Sequence, residues 1–210
     1  AGLHAAEYVD SLGARPEVPG ADVDAAVDEA LAPLSNTGGE NPYTLHHDLQ
    51  VTMNTLVGII RKPEEISEAL AKLEDFKPRH HKVGSTGGRR FNPGWHVALD
   101  LRNMLIVSEC VAKAALEREE SRGGHTRDDF PAMSSKWRQV NLICSLNADG
   151  TGVDLKHQPI PTIRKDLLEL FEVSELKKYF TDEELAELGG VVDEILSVTE
   201  VDTQADARAD

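Results

Sequence analysis

The sequence predicts a mainly α fold, an antiparallel three-helix up-and-down bundle followed by a C-terminal extension that contains a small β-hairpin and short helices. Three observations predict it. Hydrophobic residues make up 40% of the 210 residues but aromatic residues only 5%, and a core of Ala and Leu favours helices over a sandwich or barrel. Between residues 43 and 119 apolar positions recur at three- and four-residue steps, the period of one buried helix face. Pro42, Pro63 and Pro93 stand at the start of three such segments, where a missing N–H costs nothing and the fixed φ suits a first turn. Three amphipathic helices with short connections bury their faces most simply as an up-and-down bundle.

Taken in order, residues 1–12 read as a helix with neither an initiator methionine nor a preceding cap, as if cut from something longer. Residues 13–20 hold two prolines and two glycines and form a linker, and residues 21–34 give an Ala-rich helix with Pro33 near its end. The run SNTGGENP at 35–42 is turn chemistry, with Asn41 and Pro42 placed to start the next helix. Leu45, Leu49, Met53, Leu56 and Ile60 mark the first bundle helix over 43–61. Pro63, followed by Glu64 and Glu65 near the positive end of the helix dipole, opens the second, through Ile66, Leu70 and Leu73, which ends before Pro78. Residues 79–90 are a polar, glycine-rich loop. The third and longest helix spans 94–119, with a seam of Ala98, Leu101, Leu105, Ser108, Ala112 and Ala115 whose small members permit close contact. Residues 139–145 and 152–157 suit strands joined by the turn residues 147–150. A short helix over 162–171 is capped by Thr162, and Thr181 with Glu184 offers a capping box for a last one.

Charge and composition exclude several functions. The formal net charge is -15, which opposes nucleic-acid binding, since phosphates need clustered Lys and Arg. Residues 181–210 hold ten Asp and Glu against one basic residue, Arg208, so nine of the fifteen net negative charges lie there. The final stretch, 191–210, has too few large apolar residues to offset its own ordering entropy and reads as an acidic, mobile tail. No run approaches the roughly 20 apolar residues of a membrane span, and the start shows no signal peptide. Cys110 and Cys144 lack CxxC spacing and sit among apolar residues, which suggests buried reduced thiols and a reducing compartment. There is no GxSxG elbow and no GxGxxG opening a helix, so neither nucleophilic catalysis nor dinucleotide binding has local support. The pairs His46-His47 and His80-His81 lack a third ligand at zinc-like spacing, and Trp95 and Trp137 are expected to cover the core.

The densest chemistry is the run ESRGGHTRDDFP at 120–131. Gly123-Gly124 can release the chain from the third helix, with Arg122 and His125 near the negative dipole end. Arg122 and Arg127 each present a fork for a carboxylate, carbonyl or phosphate, and His125 can titrate near neutral pH. Solvated or mutually paired charges at a capped helix end account for the same residues without any function.

This run resembles the E-S-R-G-x-H-x-R-x-D-F-P signature in the C-terminal helical part of succinate dehydrogenase and fumarate reductase flavoprotein subunits. It is matched at Glu120, Ser121, Arg122, Gly123, His125, Arg127, Asp129, Phe130 and Pro131. The likeness continues through NTLVGIIRKPEEISEALAKLEDF, NPGWHVALDLRNMLIVSECVAKAALERE and PIPTIRKDLLELF, about two thirds of the chain. It implies an enzyme interconverting succinate and fumarate, with electrons passing through FAD to an iron–sulfur subunit and then to quinone. It also implies that the flavin and dicarboxylate residues precede this segment, so the piece alone holds no catalytic or cofactor-binding residue and is inactive. On the resemblance, 1–42 is the end of the flavin domain with a linker, 43–131 the bundle closed by the signature, 132–190 the hairpin and short-helix extension, and 191–210 the tail. The signature becomes a junction, with Arg122 and Arg127 expected to pair with the flavin domain or the iron–sulfur subunit. The implied partners are those two and, indirectly, membrane anchor subunits, with the subunit peripheral on the cytoplasmic side of a bacterial membrane. L-aspartate oxidase, whose C-terminal helices carry a similar ESRG-x-H element, is a rival; a stand-alone helical interaction module is another.

Overall fold

The computed structural model describes residues 1–15, 17–161, 163–168, 170–172, 175, 176, 178 and 180–187. The expected acidic tail and the cap at Thr162 lie outside the described residues. In chain order the elements are α1 (Gly2–Ser11), α2 (Gly20–Ser35), α3 (Pro42–Leu56), β1 (Ile60–Arg61), α4 (Pro63–His80), α5 (Pro93–Glu117), β2 (Thr126–Arg127), α6 (Ser135–Arg138), β3 (Val140–Leu146), β4 (Val153–Pro159), α7 (Lys165–Leu168) and α8 (Asp182–Glu187). The fold is mainly α with one small antiparallel hairpin, as the sequence predicts.

The bundle is α3, α4 and α5, each packed on the other two. Its starts are fixed locally: the Asn41 side chain accepts from the Tyr43 amide at 2.9 Å and Asn92 from the Trp95 amide at 3.0 Å, with proline at the first helical position in α3, α4 and α5. The core is Leu45 and Leu49 from α3, Ile66, Ala69, Leu73 and Phe76 from α4, and Ala98, Leu101, Leu105, Ala112 and Ala115 from α5. Leu45, Ile66 and Leu101 are wholly buried, and each contributes about 2 kcal/mol by leaving water.

The structure departs from expectation in four places. Helix α3 stops at Leu56 rather than running to Arg61, so Ile60 faces solvent. Gly58 lies so close to the Asn54 carbonyl that a Cβ there would approach it to 2.8 Å, and Lys62 is extended ahead of Pro63, as the pre-proline clash requires. Helix α4 passes through Pro78 to His80; a proline in the last turn forfeits one hydrogen bond, while Lys77, Arg79 and His80 favour the negative helix end. At the α5 seam Ser108 is only half-buried and Glu109 takes the buried place. Cys144 is exposed and Cys110 half-buried, both free, where two buried thiols were expected.

Around the bundle, α2 sits on the start of α5 through the Trp95 indole, which donates to the Ala30 carbonyl at 2.7 Å, and an Arg102–Glu29 pair at 3.1 Å. The loop before α3 is held by the Arg79 fork on Glu40 and Asp48 and by a parallel bridge between Glu40 and Val83. The β3–β4 hairpin pairs Val140 with Pro159 through Leu146 with Val153. It is fastened to α5 by Glu109, which is 2% exposed, meets Lys113 at 2.7 Å and Lys77 at 3.0 Å, and accepts from the Val153 amide at 3.1 Å.

Candidate functional site: a charged junction at the end of the long helix

Helix α5 ends at Glu117, six residues before Gly123, and its C-cap Arg118 is extended. The expected glycine C-cap is therefore not the stop. The orphan carbonyls of the last turn go to a side chain that returns from ten residues downstream: Arg127 donates through Nη1 to the carbonyls of Ala115 at 3.0 Å, Leu116 at 2.7 Å and Arg118 at 3.3 Å. A cation here also opposes the negative end of the helix dipole. Its other edge forks onto Asp129, with Nε at 2.8 Å and Nη2 at 2.7 Å. The guanidinium is 3% exposed and stacks over the Phe130 ring at 5.2 Å, and its hydrogen bonds hold the Asp129 carboxyl below the usual range.

Backbone geometry delivers Arg127 there. Arg122 and His125 exchange both backbone hydrogen bonds, at 2.8 and 3.1 Å, around Gly123 and Gly124, and Gly123 has φ of +60°, a conformation that favours glycine. The Ser121 hydroxyl accepts from the Arg127 amide at 2.8 Å and faces the Phe130 carbonyl at 2.8 Å. Strand β2 pairs in parallel with β1, Ile60 opposite Thr126 and Arg61 opposite Arg127. Pro131, Asp128 and the two glycines are exposed.

Glu120 is the second centre. Wholly buried, it accepts from Arg118 at 2.7 Å, Arg122 at 3.0 Å and the Ser134 amide at 2.9 Å. Burial opposes its charge, but the Ser134 amide and the two guanidinium groups outweigh it and keep the carboxyl below its ordinary range. Arg118 also donates to the carbonyls of Trp137 at 2.9 Å and Val140 at 3.0 Å. Arg122 reaches the Ser134 carbonyl at 3.2 Å and Glu184 of α8 at 3.3 Å. Glu184 closes the predicted capping box with Thr181, at 2.8 and 3.2 Å. His125 lies between the Arg118 carbonyl, 3.1 Å from Nε2, and Arg61, 2.6 Å from Nδ1. With a donor, Arg61, facing Nδ1 and an acceptor, the Arg118 carbonyl, facing Nε2, the ring is neutral with its proton on Nε2. Burial, with Arg61, Arg118 and Arg127 adding to it, pushes the imidazole below its usual value.

The structure thus gathers Glu120, Ser121, Arg122, Gly123, His125, Arg127, Asp129 and Phe130 into one junction. It turns Arg127 inward and gives Arg122 partners inside the chain, where the sequence suggested contacts with another domain or subunit. It adds Arg118, Arg61, Ser134 and Glu184. Arg61 and Arg118 carried no readable signal, since the sequence places both inside helical runs. The arrangement binds charges and fixes backbone. Among the described residues no group of three His, Cys, Asp or Glu is placed to hold a metal ion. Among the described residues the sheets are two pairs of strands, and neither opens a glycine-rich strand-to-helix turn of the kind that cradles a dinucleotide.

Residues 46–174 match the family model for the fumarate reductase flavoprotein C-terminal region. The chain belongs to this family. A solved structure of Mycobacterium smegmatis Sdh1 in complex with UQ1 is 54% identical, with a TM-score of 0.79 over 89% of this chain and 32% of that one. The succinate dehydrogenase flavoprotein subunit of Coxiella burnetii is 32% identical over 131 residues, 61% of this chain and 22% of that protein. An uncharacterized FAD-dependent oxidoreductase of Methanocaldococcus jannaschii is 32% identical over 144 residues, 68% of this chain and 25% of its own length. The chain therefore spans about a quarter or less of the curated relatives it matches.

Proposed function

We propose that the chain is the C-terminal helical part of a succinate dehydrogenase or fumarate reductase flavoprotein subunit, in an enzyme that interconverts succinate and fumarate and passes electrons from FAD to an iron–sulfur subunit. The observation that carries this is the likeness to the Mycobacterium smegmatis structure at 54% identity over 89% of the chain, together with the family match over 46–174. The segment supplies no group to the reaction. Its work is mechanical: the junction ends α5, seats the hairpin and α8, and so presents a rigid bundle to the flavin-binding part. FAD, the iron–sulfur subunit and, through it, membrane anchors belong to the assembled complex on the cytoplasmic side of the membrane; no helix of the described residues is long and apolar enough to cross one. The division into the end of a flavin domain over 1–42, a bundle over 43–131, an extension over 132–190 and a tail is part of the same proposal.

Expression of the gene together with its upstream sequence tests it. The full-length protein should carry flavin absorbance and reduce a dye with succinate, while the 210-residue chain should do neither. An upstream sequence without a flavin-binding domain, or a flavoprotein that oxidises aspartate instead, would overturn the proposal.

A further inference from the structure

Among the described residues, every arginine of the junction except one meets a carboxylate: Arg118 and Arg122 on Glu120, Arg127 on Asp129, Arg138 facing Glu184 at 3.7 Å. Arg61 is the exception. It is half-buried, and burial pulls its pKa down with no acid to oppose the effect. Its Nε donates to the Gly58 carbonyl at 3.1 Å and its Nη1 to His125 Nδ1 at 2.6 Å, both neutral acceptors. Among the described residues Nη2 has no partner, and because no buried side-chain nitrogen or oxygen among them lacks one, this donor keeps some exposure to solvent. A desolvated cation without a counter-ion is costly, and it is out of place in a chain with a net charge of -15. The ring beside it is held by the Arg118 carbonyl, so the pair keeps its aim.

What flanks Arg61 says which kind of carboxylate it awaits. Ile59 is 82% exposed and Ile60 63%, next to it in sequence, and β1 has a strand partner on one side only. A cation bordered by exposed apolar residues on a free strand edge fits a protein surface, where apolar contact excludes water around an ion pair, better than a free small anion. We propose that Arg61, positioned by His125, is the open half of an ion pair completed by an Asp or Glu side chain of the flavin-binding part of the same flavoprotein. This rests on the function proposed above.

Zero-length cross-linking of the full-length flavoprotein carrying R61K tests it. A water-soluble carbodiimide activates a carboxylate, the nearby amine displaces the urea, and an amide forms with net loss of water. The expected result is one amide, located by tandem mass spectrometry, between position 61 and an Asp or Glu in a peptide that precedes Ala1. The Lys72–Glu68 pair at 2.9 Å, exposed on α4, is the internal control. If the control forms and position 61 gives no product, or joins only to residues 1–210 or to a separate chain, the proposal is overturned. In the same full-length background R61E should increase protease sensitivity around 58–62, and a compensating acid-to-lysine change at the residue found should reverse it. Flavin absorbance of the same samples separates the two claims: the cross-link without flavin keeps the ion pair and sinks the function, and flavin without the cross-link does the opposite.

Discussion

Replacing Arg127 with alanine removes the side chain that serves the Ala115 and Leu116 carbonyls and shares the Arg118 carbonyl with His125, and the cost can be built from its contacts. Three carbonyl acceptors lose a charged donor, and the Ala115 carbonyl belongs to a residue that is 4% exposed; a buried acceptor left unpaired costs about 1–3 kcal/mol. The fork to Asp129 adds less, because that side chain is 34% exposed and can return to water, which limits the pair to about 1 kcal/mol. The expected total is about 3 kcal/mol, equivalent to a fall in melting temperature of about 6–12 °C for a chain of this size. Urea unfolding of the 210-residue chain, followed by far-ultraviolet circular dichroism, should show a lower midpoint at unchanged slope. D129N should cost about 1 kcal/mol or less, since the carbonyls remain served. Equal effects of the two substitutions, or an R127A protein within about 0.5 kcal/mol of the parent, would refute the idea that Arg127 closes the helix.

Other perturbations give further tests. Glu109→Ala leaves Lys77 and Lys113 without their buried partner and frees the Val153 amide, so it should destabilise by about 2–4 kcal/mol and speed hydrogen exchange at Val153 before exchange in α4. Glu109 and Glu120 both have folded pKa values below 4.5; their stabilisation is complete above that value and fades as pH falls through the lower folded values, so E120Q should flatten the loss of stability below 4.5. His125 also has a lowered folded pKa, from 6.5, as does His80; the unfolded chain takes up those protons first, and stability should fall as pH drops below 6.5, a slope that H125Q reduces and that His80 keeps from vanishing. Gly123→Ala meets no neighbouring atom and pays only for φ of +60°, about 1–2 kcal/mol, whereas a Cβ at Gly84 lands on the Asn36 carbonyl, and G84A should be the more damaging of the two by thermal unfolding.

How much was legible follows from where each signal is written. Helix starts are encoded beside the break, and Asn41-Pro42, Pro63 and Asn92-Pro93 mark them correctly. The hairpin follows from alternation and the turn at 147–150, and the capping box from Thr181 and Glu184. Helix ends were less readable, since α3 is cut short by the return of β2 onto β1, a pairing 66 residues apart at Ile60 and Thr126, and a last-turn proline does not stop α4. Glu109 could not be placed in the core from its own segment, because the lysine of α4 and the amide of β4 that permit its burial come from elsewhere. The signature was legible as a string, and pairing within it, as between Arg127 and Asp129, was one of the readings it allowed; the carbonyls of α5 and Glu184 were not legible as partners, because a guanidinium takes whatever carbonyl or carboxylate the folded chain brings to it.

The density of charge at residues 120–131 has a structural cause. A 25-residue helix that ends against other elements must satisfy its final carbonyls, and here Arg127 rather than a glycine cap serves them. Using Arg127 brings a buried cation that needs Asp129; extending the chain at Arg118 brings a second, which needs Glu120; and a carboxylate with no exposure is tolerable only with the further donors that Arg122 and Ser134 provide. Each step adds one charge and the element that carries its partner, so α6 and α8 become tied to the end of α5 by ion pairs and backbone hydrogen bonds. Within that chain of compensation Arg61 alone lacks a counter-charge, which is why the junction reads as complete on the side facing its own extension and incomplete at β1.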